Sequence, residues 1–226
     1  MPLRKQAGNM YDWVTHTWNP VKGKCRHNCS YCYMKRFPLG ELRFDEREMN
    51  TNLGSGNVIF VGSGTDLFAS DVPRDWICRV FDKCREYHGN QYLFQSKNPK
   101  RMMMMVDLGV WPAGAWAGTT IESNVIDGLV SAAPPVQDRA EAIALLGAAG
   151  INTMVTIEPI MDFDPPGLAM LILVAQPKWV NIGADSRATG LPEPTQQKIA
   201  RFMDMIKGHT EIRCKLNLER LLREKT

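Results

Sequence analysis

Past residue 55 the chain alternates short apolar runs with stretches whose apolar residues recur at helical spacing. NVIFV (57–61) is a continuous apolar run of strand length, and it predicts a buried strand ending in the loop GSGTDLFASD (62–71). Residues 73–87 predict a helix, with Pro73 near its start, Gly89 beyond its end, and Ile77, Val80, Phe81 and Cys84 as its apolar stripe. The same reading gives strands at QYLFQ (91–95), AWAGTT (115–120), NTMVTIE (152–158), WVNIG (179–183) and EIRCKL (211–216). Between them it places helices over 99–105, 136–149, 168–175 and 195–206. YDWVTHTW (11–18) supplies a first strand. Residues 102–105 are four methionines in a row; a helix cannot aim four consecutive side chains into one pocket, so they are read as core packing.

Strands alternating with helices across short connections mean parallel β/α units, an α/β fold. Six or seven such units fit 226 residues. A closed eight-unit barrel usually takes about 250. The expected architecture is therefore one domain, residues 1–226, built as a partial (β/α)6 TIM-like barrel with room for one extra closing strand. A doubly wound open sheet is the alternative.

In such barrels chemistry gathers at the C-terminal strand ends. These ends carry Ser63, Thr65 and Asp66; Ser96 and Lys97; Thr120 and Glu122; Thr156 and Glu158; Asn181 and Asp185; and Arg213, Lys215 and Asn217. Period-two alternation puts Thr120 with Glu122, and Thr156 with Glu158, on one face. Any single one of these is readily a turn former or a helix cap, as Asp66, Asp71 and Asp185 illustrate. A ring of them facing one lumen is costly unless it binds something. Glu122 and Glu158 stand out individually, and Glu158, Lys97 and Lys215 are the catalytic candidates.

Charge and composition add less. With 44% hydrophobic and 23% charged residues the chain is an ordinary globular protein, and a net charge of +3 does not establish nucleic-acid binding. The start of the chain has no apolar signal-peptide core, and no apolar run reaches the roughly 20 residues of a membrane span. A cytoplasmic, non-membrane protein is expected, and there six cysteines argue for free thiols or metal ligands.

Three of those cysteines stand together in CRHNCSYC (25–32), at C-x3-C-x2-C spacing, among Lys22, Lys24, Arg26, Lys35, Arg36, Arg43 and Arg47. Three chemistries can use Cys25, Cys29 and Cys32. One is zinc, with His27 or His16 as fourth ligand. Another is unliganded thiols. The third is a 4Fe–4S cluster on three thiolates, leaving one iron open. Cys84 and Cys214 share faces with apolar neighbours and Cys78 flanks the same helix as Cys84, so structural roles are expected for all three.

The spacing, with Tyr31 just before the third cysteine, resembles the signature of the radical S-adenosylmethionine enzymes. WVTHTWNP before the cysteines, CSYCYMKRF after them, GSGTDLF and FQSKNPKRM resemble a phage and bacterial family of unsettled function. The TD and SK elements are similar to those of spore photoproduct lyase.

The resemblance implies that Cys25, Cys29 and Cys32 hold a 4Fe–4S cluster whose fourth iron is chelated by S-adenosylmethionine. It implies Tyr31 beside the adenine, and Ser63, Gly64, Thr65 and Asp66 at the methionine end. There the chain departs from the usual Gly-Gly-Glu. It implies Thr120 and Glu122 near the ribose, Ser96 and Lys97 near the carboxylate, and Gly183 near the adenine. Glu158 is expected to face cofactor or substrate. The implied chemistry is reductive cleavage of the cofactor to a 5′-deoxyadenosyl radical, with electrons from a flavodoxin or ferredoxin. The implied substrate is a nucleic acid base or another large molecule, with a nucleic acid or partner protein closing the open barrel side. For a phage-encoded chain the location is the host cytoplasm. A zinc-stabilised nucleic-acid-binding module and a non-catalytic iron–sulfur scaffold are the alternatives.

Overall fold

The computed structural model describes residues 3–125, 131–186 and 190–223. The chain begins with β1 (Arg4–Lys5), β2 (His16–Trp18) and a small hairpin of β3 (Val21–Lys22) and β4 (Arg43–Phe44). A one-turn helix α1 (Glu46–Met49) follows. Regular β/α alternation then runs through β5 (Val58–Val61), α2 (Arg74–Glu86), β6 (Gln91–Gln95), α3 (Pro99–Asp107), β7 (Trp116–Thr120) and α4 (Val136–Ala148). It continues with β8 (Asn152–Ile157), α5 (Pro165–Ala175), β9 (Trp179–Ile182), α6 (Gln196–Ile206), β10 (Glu211–Cys214) and the short α7 (Glu219–Leu222).

The main sheet has the order β1-β2-β5-β6-β7-β8-β9-β10. Every pairing from β2 to β10 is parallel, and only β1 runs antiparallel, at the edge. The fold is thus α/β with a mostly parallel central sheet. Among the described residues no strand pairing joins β10 back to β1. No helix among them is long and apolar enough to cross a membrane.

Strand alternation sorts the two faces. Ile59, Val61, Tyr92, Phe94, Ala117, Val155, Ile157, Val180 and Ile182 pack into the main core with the helices. Phe60, Leu93, Met154 and Trp179 point the other way and join a second cluster with Tyr11 and Val14. Both faces are covered, which is why these strands read as nearly continuous apolar runs. In the methionine run Met102 and Met105 are buried and Met104 is exposed, as one helical face requires.

Two expectations need correction, and one element is new. Residues 11–15 are not strand: Tyr11 and Trp13 instead lie across the inner face, stacked on each other at 6.0 Å, with Phe60 and Trp179 beyond. Burying those rings is worth more than extending β2 by five residues. Cys214 is exposed rather than packed, because it lies on the edge strand and its neighbour Leu216 is exposed too. The segment between β4 and β5, finally, contains α1, which the apolar pattern does not announce; its Asp45 cap accepts from Arg47 N and its Glu48 is buried.

Candidate functional site

The inner face turns from apolar to polar along the strands, ending in Gln95, Thr120, Thr156 and Asn181. Beyond these ends lie two ionic clusters. Tyr11 links them, since its hydroxyl donates to Gln95 Oε1 at 2.7 Å and Gln95 Nε2 donates to Thr120 Oγ1 at 3.2 Å. Lys215 Nζ, beyond β10, sits 4.9 Å from the Tyr11 ring centroid. Gln95 on β6 and Lys215 just past β10 stand four strand places apart, about 19 Å in a flat sheet, and Tyr11 meets both from the inner face.

The first cluster centres on Glu122, just past β7 and only 3% exposed. Its Oε1 accepts from both the Tyr31 hydroxyl and Lys97 Nζ, and its Oε2 from Arg139 Nη1 at 2.9 Å. Burial opposes its charge, but Lys97 and Arg139 outweigh that and hold the carboxyl down at about 2. Burial and then the Glu122 charge push the Tyr31 phenol upwards. Lys97 also lies 5.2 Å from the Tyr31 ring centroid. Arg139 is fixed in turn by Pro134 O at 2.7 Å and Thr120 O at 2.9 Å.

Tyr31 belongs to the cysteine loop, which β3 and β4 clamp at its base, with Lys24 N donating to Gly40 O at 3.0 Å. Asp66 ties this loop to the strand ends. It accepts from Ser96 Oγ and the Lys97 backbone N–H, each at 2.9 Å, and its Oδ2 also meets His27 Nε2 at 2.9 Å. Burial opposes its charge as well, and the His27 contact leads those that hold its carboxyl below the ordinary value. Thr65 Oγ1 donates to Gly23 O at 3.0 Å, and Asn19 Oδ1 accepts from Ser63 Oγ at 3.2 Å and Gly64 N at 2.8 Å. The Gly-Ser-Gly-Thr turn is thereby pinned against the start of the cysteine loop.

Cys25, Cys29 and Cys32 are all free thiols. Cys29 is buried, with Ser131 Oγ 3.2 Å from its sulfur, and Cys32 precedes a short 3-10 turn, Tyr33–Arg36. Burial, then the Asp66 charge, pushes the Cys25 thiol up to about 12, so a metal binding there must displace a proton. Among the described residues no set of three His, Cys, Asp or Glu side chains is gathered as for a single metal ion. The two histidines considered as zinc ligands are engaged elsewhere, His27 with Asp66 and His16 with Thr15 Oγ1 at 2.8 Å. The donor chemistry fits a cluster held by three thiolates, in which each sulfur takes a different iron and no common point is needed.

The second cluster is built on Glu158, after β8. Its Oε2 accepts from Lys215 Nζ at 2.8 Å, and its Oε1 from Asn9 Nδ2 at 2.6 Å and Asn217 Nδ2 at 3.5 Å. Gly183 makes room: a Cβ there would lie 2.9 Å from the Glu158 carboxyl carbon. The structure therefore brings Tyr31, Ser96, Lys97, Asp66 and Glu122 together, with Thr120 bridged in through Gln95. It places Glu158, Lys215 and Gly183 in a separate group.

Comparison with known proteins bears on this arrangement. The model of the family described as "Protein of unknown function (DUF5131)" matches residues 9–130. The chain belongs to that family. The match takes in the cysteine loop, Asp66, Lys97 and Glu122, whereas Glu158 and Lys215 lie beyond it. No curated protein matches this DUF5131 sequence. Among solved structures it is similar to spore photoproduct lyase variants. One, with a dinucleoside spore photoproduct, has a TM-score of 0.61 at 12% identity, covering 92% of this chain and 65% of that one. Another, with bound AdoMet and the same dinucleoside, has a TM-score of 0.57 at 11% identity, covering 92% and 66%. A third has a TM-score of 0.58 at 13% identity, covering 80% and 59%. The DUF5131 chain thus spans less than two thirds of these lyases, and at such identities the likeness is one of fold.

Sequence reasoning missed Arg139, Tyr11, Gln95 and Asn9. Arg139 had a readable signal: it stands on the stripe continued by Ala142, Ile143 and Leu146, and an arginine on a buried helix face demands a carboxylate partner. Tyr11, Gln95 and Asn9 had none, because their roles depend on how the segment before β2 crosses the inner face.

Proposed function

We propose that this DUF5131 protein is a radical S-adenosylmethionine enzyme acting on a nucleic acid base or another large substrate. One observation carries the reading. The C-x3-C-x2-C loop follows the first parallel strand, and its Tyr31 reaches Glu122 at the end of β7, in a fold shared with spore photoproduct lyase. On this reading Cys25, Cys29 and Cys32 hold a 4Fe–4S cluster. When bound, the cluster and S-adenosylmethionine supply one-electron cleavage to a 5′-deoxyadenosyl radical, the species that abstracts hydrogen.

The chain's own residues bind and orient. Glu122, kept ionised by Lys97 and Arg139, offers a fixed acceptor for the cofactor's hydroxyls or amine, and Lys97 a fixed cation for its carboxylate. Thr120 and the pinned turn at Ser63–Gly64–Thr65 complete the cradle, while Gly183, expected near the adenine, is buried beneath Glu158 with its N–H and C=O bonded to Ile157 and Ile160. Asp66 holds the loop to the strand ends. Glu158 and Lys215 face the substrate side. The sheet is read as a partial barrel, its apolar lower half plugged by Tyr11 and Trp13 to exclude water from the inner face. The gap between β10 and β1 is left for a large substrate or partner protein, and a flavodoxin- or ferredoxin-type protein supplies the electron.

The test is anaerobic. The protein is reconstituted with iron and sulfide, reduced with dithionite and given S-adenosylmethionine, and 5′-deoxyadenosine is measured. Its formation by the wild type and loss in Lys97→Met or Glu122→Gln is expected. A colourless protein that retains zinc sinks the proposal.

A further inference from the structure

The Glu158 cluster is already occupied, by the chain itself. Asn9 donates its side-chain amide to Glu158 Oε1 at 2.6 Å and to Ser186 Oγ at 2.8 Å, while Lys215 donates to the Asn9 backbone carbonyl. One residue therefore presents a side-chain N–H to a carboxylate and its backbone C=O to an ammonium. Asn217 adds a further acceptor: its Nδ2 is used on Ala184 O at 2.7 Å and Ser186 Oγ at 3.0 Å, but its Oδ1 is buried with no hydrogen-bond partner. A buried unpaired acceptor beside a carboxylate calls for a ligand richer in N–H than Asn9. Glu158 and Lys215 keep side-chain exposures of only 18% and 10%, so their charges are well sheltered from water.

Asn9 sits on an exposed turn, next to Gly8, which has φ +69° and open space around it, whereas Tyr11 two residues on is buried and anchored. For a ligand to replace Asn9 only this turn has to move, with Tyr11 kept in place.

We propose that Glu158, Lys215 and Asn217 form a recognition subsite for a nucleobase edge carrying N–H beside a carbonyl, and that Asn9 is its internal stand-in. Such an edge gives N–H to Glu158 and C=O to Lys215, as Asn9 does, and the exocyclic amine of a guanine also supplies the donor that Asn217 Oδ1 lacks. A backbone peptide amide offers one N–H and one C=O but no second donor for Asn217 Oδ1, so a nucleobase is favoured. Away from the subsite, after β2 at the same end of the sheet, the cysteine loop and the hairpin strand and short helix that follow it carry exposed Lys24, Arg26, Lys35, Arg36, Arg43 and Arg47, charge suited to the phosphates of a longer nucleic acid. The inference rests on the proposed function for treating this end of the sheet as the substrate side, but the binding it claims needs no cluster.

The test uses the full chain with Asn9→Ala, and its probes are uridine, guanosine and their ring-N-methylated forms, 3-methyluridine and 1-methylguanosine, titrated calorimetrically. Methylation removes the N–H and leaves the carbonyls. Losing a hydrogen bond to a charged group should weaken binding about tenfold or more. Uridine and guanosine should bind Asn9→Ala more tightly than wild type, and each methylated partner about tenfold more weakly. Adding Glu158→Ala, which removes the acceptor, should abolish the difference within each pair, and Lys215→Met is the second variant, expected to weaken all four probes. Equal binding of methylated and unmethylated probes overturns the proposal, as does no nucleoside binding by an Asn9→Ala protein that melts like wild type, or a preference for an Asn-containing peptide. Failure here leaves the cysteine assignment untouched, and failure to load iron leaves this result standing.

Discussion

Glu122 shows how a charge survives burial. It loses hydration but gains two cations and a phenol, and the balance keeps it ionised. Its folded carboxyl is held at about 2 against an ordinary 4.5. The stabilisation is therefore complete above pH 4.5 and drains away as pH falls towards 2. Linkage puts it on the order of 3 kcal/mol. Glu122→Gln should cost roughly 3–5 kcal/mol at pH 7, since it strands the buried Arg139 and the half-buried Lys97. Urea unfolding at pH 7, 4 and 3 should show the wild type losing stability more steeply than the variant. Parallel pH profiles would refute the charge network. The glutamate was legible at a strand end, but Arg139 came into view only once α4 was set against β7.

Elements were legible wherever an apolar period ran long enough to leave one choice. β6 runs Gln91–Gln95, as the pattern 91–95 predicts, and α4 differs from its expected span by one residue. The stretch 11–15 misled because Tyr11 and Trp13, two positions apart, satisfy a strand and an inner-face plug equally well. Only the folded sheet, whose inner face presents Trp116 and Trp179 to Trp13, separates the two. If Tyr11 is that plug, Tyr11→Ala should cost about 3–5 kcal/mol by leaving a cavity. Tyr11→Phe, which loses only the bond to Gln95, should cost about 1 kcal/mol; chemical denaturation of both variants measures the difference. At the far strand ends Gly183→Ala would set a Cβ 2.9 Å from the Glu158 carboxyl. Overpacking of that kind costs about 1–3 kcal/mol, and a thermal melt should show it, whereas an unchanged melt would mean that Glu158 is not confined.

Across the molecule, the chemistry-bearing residues collect at one end of a single parallel sheet, drawn from widely separated parts of the chain. That end was foreseeable from the β/α alternation, which dictates where loops meet. The division into two clusters was not, because it depends on which side chains pair across strands. The cysteine loop belongs to the first cluster through Tyr31 and His27, and the central claim is that its three thiols, and no others, hold an iron–sulfur cluster. The most direct measurement is iron and sulfide content after anaerobic reconstitution, made on the wild type and on Cys25→Ala, Cys29→Ala, Cys32→Ala, Cys78→Ala and Cys84→Ala. About four irons and four sulfides per chain are predicted for the wild type and the last two variants, with loss of the cluster in the first three. A full cluster in Cys29→Ala, or its loss in Cys78→Ala or Cys84→Ala, would contradict the assignment.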